Sequence, residues 1–144
     1  MDSTAPPATI PPMQPAPDTL QRIVEHKREE VARAKAATPL VELESMVAQA
    51  EPPRNFFRAV MRHPDARHFS IIAEIKRKSP SAGLIRPEYD PPAPALFQPE
   101  VIARAYHAAG AAAISCLTDA KFFGGSLAYI ERIKEAVPLP VLRK

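Results

Sequence analysis

Phe69-Ser70-Ile71-Ile72-Ala73-Glu74-Ile75-Lys76 is a short run rich in β-branched residues, set between His68 and the turn formers Ser79-Pro80. Its length and composition predict a buried strand over 69–76 rather than a helical segment. With a side-chain period of two, Ile72, Glu74 and Lys76 share one face, and Ile71, Ala73 and Ile75 share the other. The second face is wholly apolar and is expected to pack on helices. The first carries a carboxylate and an ammonium group to the C-terminal end of the strand.

Outward from this stretch the chain alternates. Residues 79–99 read as loop, with six prolines from Pro80 to Pro99. Pro99 is expected to open a helix that buries Val101, Ile102, Ala105 and Tyr106, with Gly110 as its C-terminal stop. Ala112–Thr118 reads as a second strand. Ser126–Val137 reads as a second helix, with Leu127, Ile130, Ile133 and Lys134 along one side. Pro140–Lys144 begins a third strand. Strand, helix, strand, helix, strand means βαβ units and a parallel sheet with right-handed crossovers. The strands do not alternate cleanly, so both sheet faces are expected to be covered, as in a barrel or a doubly wound sheet. Only four glycines are present, and a Gly-rich dinucleotide fingerprint is absent.

Before the first strand the pattern is helical. Asp18 and Gln21 have capping-box spacing. Leu20, Ile23, Val24 and Val31 then recur at helical intervals to about Ala37. Thr38-Pro39 begins a second helix, with Leu40, Leu43 and Val47 as its stripe, ended by Pro52-Pro53. Residues 54–62 suggest a further short helix. Residues 18–68 thus form a helical extension and 69–144 the α/β part. Residues 1–17 hold six of the 18 prolines and almost no charge, and are expected to be a disordered, dispensable tail. A proline-rich docking site is the alternative there.

The totals narrow the function classes. Apolar residues make up 46%, enough for a core, and the net charge is +3. The densest basic run is Lys76-Arg77-Lys78, a weak footprint for nucleic acid, so no nucleic-acid partner is expected. No stretch is long and apolar enough to span a membrane, and no secretory signal is expected from the first residues. The single cysteine, Cys116, excludes an intrachain disulfide and fits a reduced, cytoplasmic setting; it reads as a small core residue. His26, His63, His68 and His107 lack metal-site spacing.

The candidate chemistry lies at strand ends, where (β/α)8 barrels carry their active sites. Burying a Glu–Lys pair costs several kcal/mol unless the charges are matched; a surface ion pair is the plainer reading of Glu74 and Lys76. Lys144 shares a face with Leu142 and projects from the third strand's end. A lysine beside other cations can serve as a general acid near neutral pH, although a terminal lysine is usually solvated. Ser79 and Ser81 flank Pro80 and offer hydroxyls. Phe122-Phe123, next to Gly124-Gly125, offer an aromatic wall or simply local packing.

Three blocks carry a family resemblance. Ile72 to Ser81 (IAEIKRKSPS) resembles the signature segment of the indole-3-glycerol phosphate synthases. Ala112 to Asp119, followed by Lys121 to Ser126, resembles that family's second strand and loop. Leu139 to Lys144 resembles its third strand up to the active-site lysine. Ile23 to Val31 is similar to its N-terminal extension. The resemblance covers residues 18–144 and implies an incomplete (β/α)8 TIM barrel, its first three strands, behind an N-terminal helical extension. It implies ring closure of the small-molecule phosphorylated substrate 1-(2-carboxyphenylamino)-1-deoxyribulose 5-phosphate, with decarboxylation and dehydration, in tryptophan biosynthesis. Lys144 is then the general acid. Lys76 pairs with substrate anions and serves in dehydration, and Glu74 orients the lysines or acts as base. Ser79 and Ser81 contact substrate and Phe123 lines the anthranilate pocket. No metal or organic cofactor is implied.

Two departures stand out. The 89–99 link is longer and richer in proline than the family's, and later strands with a second glutamate and the phosphate loops are missing. Alone, the fragment is expected to be inactive and molten, with Ile72 and Leu117 uncovered on the inner face and two open sheet edges. The alternatives are a non-catalytic remnant, or a half-barrel needing a complementing chain or another tryptophan-pathway domain. The sister phosphoribosylanthranilate isomerase barrel is disfavoured by the helical preface and the Glu74–Lys76–Ser79 block.

Overall fold

The computed structural model describes residues 18–61, 69–89 and 97–144. The tail expected over 1–17, the end of the extension at 62–68 with His63 and His68, and the prolines at 91, 92 and 94 lie outside the described residues. The chain divides into two compact units, Met1–Leu43 and Glu44–Lys144.

In the first unit, Thr19–Ala37 forms helix α1. Lys27 and Glu30 pair at 2.7 Å, and Gln21 donates to Glu25 at 3.1 Å. The capping box does not form: Asp18 makes no side-chain cap bond, and Gln21 reaches forward along the helix instead. Leu20, Val24 and Val31 of the expected stripe are exposed. Helix α2, Leu40–Gln49, starts just after Pro39, whose carbonyl accepts from Leu43 N–H at 3.0 Å.

The second unit holds the sheet. Helix α3 is Phe56–Met61, capped by Asn55 Oδ1, which accepts from Arg58 N–H at 2.7 Å. Strand β1 is Ile72–Ile75. It is shorter than the expected 69–76: Phe69 and Ile71 are exposed, and pairing begins at Ile72↔Ala113. The expected loop after β1 contains a small antiparallel hairpin, β2 (Lys78–Ser79) with β3 (Gly83–Leu84), and a 3-10 turn over Pro87–Tyr89. Helix α4 is Pro99–Ala108, with proline in its first turn. Gly110, at φ 87°, ends it in a Schellman arrangement: Ala111 N–H returns to the Tyr106 carbonyl at 3.0 Å. Strand β4 is Ala113–Cys116 and strand β5 is Val141–Arg143, and the parallel sheet runs in the order β1-β4-β5. Between β4 and β5 lie α5, Ala120–Phe123, and α6, Ala128–Ala136.

The expected coverage of both faces holds for the central strand. All four β4 residues are buried, whereas Ile72 and Leu142 on the flanking strands are each 46% exposed. Of the apolar β1 face, Ile75 is buried and Ile71 is not. Leu117, expected to be uncovered, is buried at 5% exposure because it continues the central strand between its neighbours. The expected helix faces hold in part. In α4, Ile102 and Tyr106 pack against the core beside the buried Pro99 and Ala103, while Val101 and Ala105 are exposed; in α6, Ile130 packs against the core and Ile133 is buried, while Lys134 and the preceding Leu127 are exposed. Helices α4 and α6 pack on each other as well as on the sheet, so the covered face includes the helix–helix seam.

The core comprises Ile75, Ile114, Cys116, Ala103, Ile133 and Val137, completed by Tyr89 and Phe97. Those two rings meet edge to face at 5.0 Å between centroids. Both come from a segment read as loop.

Candidate active site

The site begins with the sheet register. Glu74 on β1 lies level with Ser115 on β4 and Leu142 on β5. Leu117 N–H donates to the Ile75 carbonyl at 3.1 Å, and Lys144 N–H donates to the Cys116 carbonyl at 2.9 Å. These bonds extend the ladder past the last strand residues, so Lys76, Leu117 and Lys144 follow Glu74, Ser115 and Leu142 on one face. Thr118 fixes the last of them: its N–H and its hydroxyl both donate to the Lys144 carbonyl, at 2.8 and 3.1 Å.

The side chains converge across the central strand. Glu74 Oε1 lies 3.0 Å from Lys76 Nζ, and Glu74 Oε2 accepts from Lys144 Nζ at 2.8 Å. The carboxylate thus bridges two ammonium groups carried by the two flanking strands. The hydrogen bond from Lys144 holds the Glu74 carboxyl below its ordinary pKa of 4.5; burial opposes this, and Lys76 reinforces it. The Glu74 and Lys76 side chains are about one-third exposed and Lys144 is 60% exposed, so the cluster opens to solvent. The three predicted catalytic residues are therefore brought together by direct bonds. One carboxylate against two ammonium groups leaves a net positive site, suited to an anionic ligand and able to donate a proton.

The other predicted residues surround this cluster differently. Ser79 and Ser81 are on the hairpin, their hydroxyl oxygens 3.4 Å apart, and Ser79 Oγ accepts from Ala82 N–H at 3.1 Å. They shape the turn and do not hydrogen-bond to Glu74, Lys76 or Lys144. Phe123 ends α5, half-buried. That turn is set by Asp119, whose carboxylate accepts from the N–H groups of Phe122 and Phe123 at 2.7 and 3.3 Å, and by Gly124 in the left-handed region at φ 61°. An Asp four residues before a Phe-Gly pair is a cap signal that reading the segment as plain loop missed. Gly125 seats the turn on the sheet end, because a Cβ there would stand 2.7 Å from Thr118 Cα.

Two supports escaped the sequence reading. Tyr106, on α4, donates its hydroxyl to the Glu74 backbone carbonyl at 3.2 Å. Arg77 Nη2 donates to the Tyr89 carbonyl at 2.9 Å, tying the loop to the strand end. A cleft of about 400 Å³ lies beside this end of β1, lined by Glu74, Lys76, Arg86, Val101 and Tyr106 among others. Cys116 is fully buried, and that burial pushes its thiol up to about 11.

The fold and the cluster define a class: a parallel α/β protein with acid–base side chains gathered at the C-terminal ends of its strands. The chain belongs to the indole-3-glycerol phosphate synthase family, whose model matches residues 20–144. It is 48% identical over 127 residues to the indole-3-glycerol phosphate synthase of Rhodospirillum rubrum, 88% of this chain and 45% of that protein. The corresponding proteins of Acidithiobacillus ferrooxidans and Azospirillum brasilense are 46% and 44% identical with the same coverage. The chain therefore spans less than half the length of these relatives. The family is one of TIM-barrel, decarboxylating lyases of tryptophan biosynthesis, and the three-stranded parallel sheet accords with part of such a barrel. No helix among the described residues is long and apolar enough to cross a membrane.

Proposed function

We propose that these residues supply the first three strands of a (β/α)8 barrel, 69–144, behind a helical extension, 18–68, and that the complete barrel is a cytoplasmic indole-3-glycerol phosphate synthase. The carrying observation is the Glu74 carboxylate bridging Lys76 and Lys144. The substrate is 1-(2-carboxyphenylamino)-1-deoxyribulose 5-phosphate. In the first step the ring carbon bearing the carboxylate attacks the ketone carbon, and the Lys144 ammonium gives its proton to the ketone oxygen. The C–CO2 bond then breaks, and its electron pair restores the ring. Lys76 next protonates the new hydroxyl, which leaves as water as the ring nitrogen supplies electrons, and a base removes the remaining proton to give the indole. Glu74 holds both ammonium groups at the strand ends and takes part in returning protons. Ser79, Ser81 and Phe123 contact the substrate from the hairpin and from α5.

Residues 1–144 by themselves are inactive in this reading, since the relatives devote more than half their length to segments beyond the matched region. A half-barrel working with a complementing chain is the second reading, favoured by the two outer strands, β1 and β5, that flank the sheet. The test is to assay the chain alone and mixed with a polypeptide supplying the remaining barrel of a relative. Expected are no turnover alone, turnover in the mixture, and loss of it on Lys144→Met. Turnover indifferent to Lys144→Met, or none in the mixture, overturns the proposal.

A further inference from the structure

We propose that Lys78 is a third substrate-binding cation, which takes the aromatic carboxylate of the substrate; this rests on the synthase reading above. Lys78 follows Lys76 by two residues and opens the hairpin on the same side of the strand end as α5, with which β2 is in contact. Glu74 is already shared between Lys76 and Lys144. Lys78 is half-buried, and neither an ion pair nor a side-chain hydrogen bond engages its ammonium group among the described residues. Its alkyl stem is seated on Gly124: a Cβ at that glycine would stand 3.2 Å from Cε, 3.3 Å from Cγ and 3.4 Å from Cδ of Lys78. Gly124 directly follows Phe123, and its left-handed φ of 61° is the conformation that ends α5 there. One glycine therefore does two things. It closes the turn that presents the Phe123 ring, and it leaves open the channel along which Lys78 lies.

The chemistry follows from that adjacency. An aminobenzoate ring resting on Phe123 carries a carboxylate ortho to its nitrogen, and Lys78 is the cation laid beside that turn. An ammonium group without a protein partner gives up only water on pairing with a substrate carboxylate, whereas Lys76 and Lys144 must share theirs with Glu74. Lys78 acts on binding and leaves the proton transfers to the other two lysines.

The test uses the chain with its complementing polypeptide and the non-reacting analogue 1-(2-carboxyphenylamino)-1-deoxyribitol 5-phosphate. The chain has no tryptophan, so the fluorescence of the aminobenzoate ring reports binding without background from it. Lys78→Met is expected to raise Kd about tenfold, the size of one lost charge-assisted hydrogen bond, and to flatten the salt dependence. Lys78→Arg should restore most of the affinity. The analogue lacking the ring carboxylate should bind the original chain and Lys78→Met alike. Equal binding of the carboxylated analogue by the original chain and Lys78→Met overturns the proposal alone, as does a loss that persists without the carboxylate. Failure of the original chain to bind overturns the synthase reading together with it.

Discussion

Replacing Arg54 by methionine removes a clamp made by one guanidinium group. Arg54 Nη1 donates to the carbonyls of Val137 and Leu139 at 2.6 and 3.0 Å, and Nη2 donates to the carbonyl of Lys134 at 2.8 Å. These acceptors sit at the end of α6 and in the link to β5, the helix terminus where carbonyls lack intrahelical partners and the dipole favours a cation. A hydrogen bond from a charged donor contributes about 1.5–3 kcal/mol when buried. Two of these three are exposed, so about 1 kcal/mol each is the appropriate scale. The sum is about 2–3 kcal/mol, or roughly a 30- to 150-fold change in a local opening equilibrium. Methionine keeps much of the stem's packing, so the loss isolates the head group. Lysine supplies a single compact donor group and should retain about a third of the effect. The assay is amide exchange followed by mass spectrometry on peptides covering α6 and the 137–141 link. Protection there should fall in Arg54→Met, while peptides from α1 stay unchanged. Protection of α6 within about threefold of the original would refute the reasoning, because it would mean that water replaces the guanidinium without cost.

Three further outcomes are expected. The Glu74 bridge adds stability in full above the ordinary carboxyl pKa of 4.5 and loses it as pH falls through the depressed value, so urea midpoints of the original chain should drop more steeply in that acid window than those of Glu74→Gln. Gly125→Ala forces a Cβ against the Leu117 carbonyl and within 2.7 Å of Thr118 backbone atoms; backbone cannot yield as a side-chain tip can, so a loss of about 1–3 kcal/mol is expected in a chemical melt, with Ser126→Ala as the harmless neighbour. With its thiol at about 11 and no exposed surface, Cys116 should resist alkylation at pH 8 in the folded chain and react promptly once denaturant is added.

The sequence by itself determined the alternation of the three sheet strands with α4 and α6, but not the β2–β3 hairpin or α5, which fall in segments read as loop. Apolar runs read at 69–76, 112–118 and 140–144, separated by helix-period segments with Pro99 at one start and Gly110 at one end, leave little choice but a parallel βαβ arrangement. Period two then puts Glu74 and Lys76 on one strand face, a local property of extended backbone that needs no tertiary information. Tertiary structure alone decided what those groups touch. Whether Lys144 was a solvated end or a partner of Glu74 depended on the register of β5 against β4, set by hydrogen bonds between residues far apart in the chain. Which ends of the α4 and α6 stripes were covered was decided by the packing of the two helices on each other as well as on the sheet, which buried Ala103 and left Val101 exposed. Tyr89 and Phe97 joined the core although they lie at the two ends of a proline-rich stretch: Phe97 meets the Tyr89 ring and the Tyr129 ring of α6, contacts that no local pattern encodes. Arg54, an ordinary cation in a helical preface, became the cap of a helix 80 residues away. Periodicity reports which side of an element is apolar; it carries no information about which distant element arrives to cover it.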